Sequence, residues 1–118
     1  MAEKTANEYG LERDAKIVDK IKADQAHKAL KQEHISVQYE IARLKVSLKE
    51  AEGRAILNQA DVNLKLTIND IQRQIAVLRV RQKELEGDLN KSRFVIKKLT
   101  DEIELLKGRF FSAKDSGL

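Results

Sequence analysis

The chain reads as an all-α protein: an elongated coiled coil, parallel and two-stranded, with a break in its heptads near residues 49–60. Three observations predict this. From Leu57 to Phe110 the apolar residues recur at alternating spacings of four and three, the seam of a helix that packs along another helix. There is no proline in 118 residues, so nothing forces a helix to end. Charged residues make up 36% and aromatic residues 4%, too polar a balance for a compact globular core.

The first ten residues are polar and are expected to form a tail, with helix beginning there or just after Gly10. Within them Thr5 and Glu8 have the spacing of a capping box, which would satisfy the first free amides of a helix. Residues 11–56 read as an upstream helix. Its first part holds Leu11, Ala15, Ile17, Val18, Ile21, Ala23 and Ala26, which fit a helix but no single heptad phase. From Leu30 the seam is regular, with Leu30, Val37, Leu44 and Ala51 at d and His34, Ile41, Leu48 and Ala55 at a.

Leu48 and Asp61, both at a, lie 13 residues apart where an unbroken heptad needs 14. The slip is expected to be absorbed between residues 49 and 60. One continuous helix with a local distortion is the preferred reading; a kink at Gly53 and an antiparallel hairpin are the alternatives. Asn58 and Asp61 are poor core residues and good cap residues.

Residues 57–111 form the main segment. Ile68, Ile75, Leu89, Ile96, Ile103 and Phe110 stand at a, and Leu57, Leu64, Ile71, Leu78, Leu85, Leu99 and Leu106 at d. Thirteen of these sixteen core slots are apolar, the exceptions being Asp61, Gln82 and Ser92. Isoleucine at a with leucine at d favours two parallel strands. In that arrangement Arg81 faces Glu86, Asp88 faces Arg93, Glu102 faces Lys107, and upstream Glu40 faces Lys45, all of opposite sign. The expected oligomerisation seam is Leu57, Leu64, Ile68, Ile71, Ile75, Leu78, Leu85, Leu89, Ile96, Leu99, Ile103 and Leu106. Residues 112–118 read as a frayed tail.

Within the main segment Val62, Leu64, Leu66 and Ile68 also alternate with polar residues, as a half-buried strand would. A helix, strand, helix order would be similar to a prefoldin subunit and would imply a chaperone. The run has no glycine turn and no second strand, and its apolar residues extend the downstream seam.

The chemistry-bearing residues are few. His27 and His34 both fall at a, one heptad apart, and read as polar residues tolerated in the seam rather than as a metal pair or a pH sensor. No motif for a phosphate loop, a nucleophile or a metal appears, so neither enzymatic activity nor a cofactor is expected. The net charge of +4 comes from 23 basic and 19 acidic residues spread along the chain, without the dense basic helix that a DNA-binding zipper places before its seam. No nucleic-acid partner is expected. With no cysteine, no signal-peptide core and no long apolar run, the chain is expected to be cytoplasmic and not inserted in a membrane.

The expected partners are therefore a second copy, as a parallel homodimer, or a related coiled-coil chain. Leu66, Val80 and Phe94 share f, the position farthest from the seam, and mark a possible lateral face for a further helix or a filament. The expected function is a structural scaffold that joins proteins in a cytoskeletal or similar intracellular assembly. A membrane-traffic tether or adaptor built on the same heptads is the alternative.

Overall fold

A computed structural model describes residues 4–117. Among them are two α-helices and no strand: α1 spans Ala6–Leu57 and α2 spans Val62–Asp115. The all-α coiled-coil class is the one the chain adopts. The two strands nevertheless belong to one molecule and run antiparallel, where the sequence reading preferred a single continuous helix in a parallel pair.

The reversal lies at residues 58–61, downstream of Gly53, which sits inside α1. The Asn58 amide donates to the Arg54 carbonyl at 3.0 Å, and the Asp61 amide donates back to the Asn58 carbonyl at 3.1 Å. Asp61 then caps α2, its Oδ1 accepting the Leu64 amide at 3.1 Å, which satisfies one of the free donors of the first turn. The one-residue slip between the heptad phases needs no distortion, because the two phases belong to different helices.

The other helix ends follow the same logic. Thr5 Oγ accepts the Glu8 amide at 3.2 Å, so α1 starts inside the segment expected to be a tail. α2 runs on to Asp115 and closes at Gly117, whose φ of 74° is the left-handed conformation that glycine adopts most readily. Of the two expected tails, residues 1–3 and 118 lie outside the described residues. The segment with strand-like alternation, residues 62–68, is helical, which removes the structural ground for the prefoldin-like alternative.

Packing divides the chain into two units, Leu30–Asp88 and the combination of the residues up to Ala29 with those from Leu89 onward. In the first unit two apolar clusters lie between the helices. One joins Leu44 and Ala51 of α1 to Ile71 and Ile75 of α2, with Leu48, Leu64, Ile68 and Leu78 packed against it. The other joins Val37 and Ile41 to Leu85, with Leu30 and Leu78 alongside. Leu85 is fully buried.

The second unit pairs the same helices with a different balance. α2 contributes an apolar row of Leu89, Ile96, Leu99, Ile103, Leu106, Phe110 and Ala113, each buried or half-buried. α1 answers with Tyr9, Gly10, Arg13, Lys16, Lys20, Ala23 and His27. The heptad phase of residues 30–55 thus does extend back to Tyr9, but with long cationic side chains whose alkyl stems cover apolar surface while their charged ends reach water. The Phe110 ring packs beside Gly10, where a Cβ would lie 3.4 Å from it, in ordinary contact. The Arg13 guanidinium stacks over the same ring, 4.9 Å from its centroid, a favourable cation–π geometry.

Candidate association surfaces

Most of the seam inferred from the heptads faces α1 of the same chain. Ile71, Ile75, Leu85, Leu89 and Leu106 are buried, and Leu64, Ile68, Leu78, Ile96, Leu99 and Ile103 are half-buried. Leu57 is the exception at 84% exposed: it is the last residue of α1, so it never joins the row of α2. The buried members of the row are covered by a helix of their own chain.

Two of the flanking charges, Arg81 and Glu102, pair across the antiparallel helices in place of the parallel pairing expected of them. Arg81 donates to Glu33 Oε1 through Nε at 2.9 Å and through its terminal nitrogen at 2.7 Å, and it also reaches Glu84 at 3.1 Å. Glu102 pairs with Lys16 at 2.9 Å, and Glu40 with Arg43 of its own helix. The physical reason is direction: reversing one helix brings each flanking residue opposite a different one, and these opposite charges fit the reversed register as well.

The Glu102 carboxyl is held below the usual carboxylate range, chiefly by its ion pair with Lys16, with burial opposing it. The Lys16 ammonium is raised in turn by the same pair. Because the folded pKa of Glu102 is lowered, its stabilising contribution is complete above the unfolded glutamate value, about 4.3, and is lost as pH falls through the folded value. Acidification through this range is expected to lower the melting temperature followed by circular dichroism. Glu102→Gln should remove part of that acid sensitivity.

Two polar residues that interrupt the rows are partners. His27 Nδ1 lies 2.9 Å from Ser92 Oγ, which fills two imperfect core slots with one hydrogen bond. His34 is less well served: its Nε2 is buried without a hydrogen-bond partner and lies 3.7 Å from Glu86 Oε1. A buried, unsatisfied polar atom is destabilising. His34→Leu is therefore expected to raise stability by about 1 kcal/mol, read as a higher melting temperature. Among the described residues no group of three or more histidine, cysteine, aspartate or glutamate side chains is placed to hold a metal.

Outside the seams several large apolar side chains remain exposed. In the Leu30–Asp88 unit Leu66 and Val80 are each 60% exposed, joined on α2 by Val62 and Val77. In the other unit Phe94 is 70% exposed and borders a groove lined by Lys97, Lys98, Asp101 and Leu105. The sequence reading missed the outer faces of α1. Leu11, Val18 and Ile21 are exposed in one unit, and Ile35, Tyr39, Val46 and Ile56 in the other. The signal was available, because these residues repeat the heptad spacing in the b and f positions, opposite the seam. No helix among the described residues is long and apolar enough to cross a membrane. No family model, curated protein or solved structure matches this chain.

Proposed function

We propose that the chain is a structural coiled-coil element that joins proteins within a cytoplasmic assembly of the cytoskeletal kind, and that its role is not catalytic. The observation that carries this reading is the apolar surface left outside the seams of both units, at Leu66 and Val80 in one and at Phe94 in the other. Two long helices already satisfy each other, so outward apolar residues in heptad spacing contribute nothing to the hairpin and suit the face of another helix or a filament. The grooves beside Tyr9, Phe94 and Val77 are open to solvent and suit a protein surface better than a small substrate.

The test replaces Leu66, Val80 and Phe94 together with glutamine. Exposed substitutions of this type change stability little, by about 0.5 kcal/mol each, so helicity and melting temperature should be kept. In extracts of its own cells the parent chain should sediment with a high-mass assembly, and the triple variant should move to the free fraction. A parent chain that runs entirely as free protein would overturn the reading.

A further inference from the structure

α1 carries a second row within the Leu30–Asp88 unit. Tyr39, Ala42, Val46, Lys49, Gly53 and Ile56 alternate in spacings of three and four, on the side of the helix away from α2, and all are exposed. Tyr39 and Ile56 are 74% and 73% exposed. Gly53 has no use inside the chain, since a Cβ there would meet nothing within 4 Å. A glycine within a helix nonetheless weakens it.

We propose that this row is the contact surface for a second copy of the chain, packed with its α1 antiparallel about a two-fold axis between Ser47 and Leu48. In that register Tyr39 meets Ile56 of the second copy, Ala42 meets Gly53, and Val46 lies along the alkyl stem of Lys49. The symmetry repeats every contact. Alanine against glycine lets the two backbones approach closely, which gives Gly53 the role it lacks within its own chain.

The charges beside the row select this register. Arg43 faces Glu50 of the second copy and Lys45 faces Glu52, each pair opposite in sign and each made twice. Moving the axis one half-heptad toward the N-terminus sets Arg43 against Arg43 and Lys45 against Lys45. A parallel pairing would stack Lys49 on Lys49 within the row. Arg43 now pairs with Glu40 of its own helix, and its side chain is 65% exposed, so it is free to turn toward a glutamate on another molecule. Such exposed pairs add little affinity and chiefly decide register and partner.

The inference extends the scaffold reading to a named partner and uses α1 alone, apart from the α2 face tested above. The experiment is sedimentation of the purified full chain across a wide concentration range, with circular dichroism on every variant. The parent should form a dimer. Gly53→Leu should keep the helix content and keep or raise the melting temperature, yet weaken the dimer by about tenfold or more, because the contact it enters is tightly packed. Lys45→Glu and Glu52→Lys should each weaken the dimer alone and recover it when mixed in equal amounts, since each then offers the charge the other needs. A parent chain monomeric throughout overturns the proposal while leaving the extract experiment to judge the scaffold reading. A dimer indifferent to Gly53→Leu, or variants that fail to recover on mixing, also overturns it.

Discussion

Leu85→Ala is expected to destabilise the helix pair by about 3 kcal/mol, seen as a drop of roughly 10 °C or more in the melting temperature. Leu85 is the side chain with 0% exposure, and it fills the space between Val37 and Ile41 on the opposite helix. Truncation removes the transfer energy of the lost carbons and leaves a cavity that two straight helices close only in part. A loss below about 1 kcal/mol would mean that this site is far less tightly packed than its burial indicates.

Leu44→Ala and Ile75→Ala come next, each expected to cost about 2 to 3 kcal/mol. The two residues are 4% and 6% exposed and share one cluster. Because they touch the same neighbours, their effects should not add: the double variant should depart from the sum by about 0.5 kcal/mol or more. Additive losses would separate the two residues. In a parallel in-register pair residue 44 would meet residue 44 of another chain, and no coupling to residue 75 would be expected.

These residues also show how much was legible in the sequence. The rows that include Leu64, Ile71, Leu78, Leu85, Leu99 and Leu106 were readable because heptad spacing states directly which side of a helix seeks cover. Asp61 was recognisable as a cap residue. Orientation was not readable, since a heptad identifies an apolar face without saying which helix covers it or in which direction that helix runs. The charges flanking the seam did not help: Arg81 and Glu102 find opposite charges in either direction.

The reversal at the turn was hidden for a related reason. The turn's place, at the end of the 49–60 window, was legible from the heptad slip, but it contains neither glycine nor proline to mark it as a reversal. The N-terminal part of α1 misled most, because its apolar residues Leu11, Val18 and Ile21 point outward while Arg13, Lys16 and Lys20 take the seam. A hydrophobic pattern cannot reveal a seam made of alkyl stems and ion pairs. Of the candidate association face, Leu66, Val80 and Phe94 could be read from the f row, while the row on α1 is interrupted by Lys49 and Gly53 and gives a weaker apolar signal.

That the chain folds back on itself is tested most directly by a cysteine pair. The natural sequence has no cysteine, so His27→Cys with Ser92→Cys offers only one possible disulfide within a molecule. The side chains of these positions meet at 2.9 Å although they are 65 residues apart, whereas along one continuous helix they would be separated by about 100 Å. Mild oxidation of the full chain should therefore give a disulfide within a single molecule, running at monomer mass on a non-reducing gel and losing two thiols in a titration. Cross-linked dimers only, or two thiols that stay free, would contradict the antiparallel hairpin.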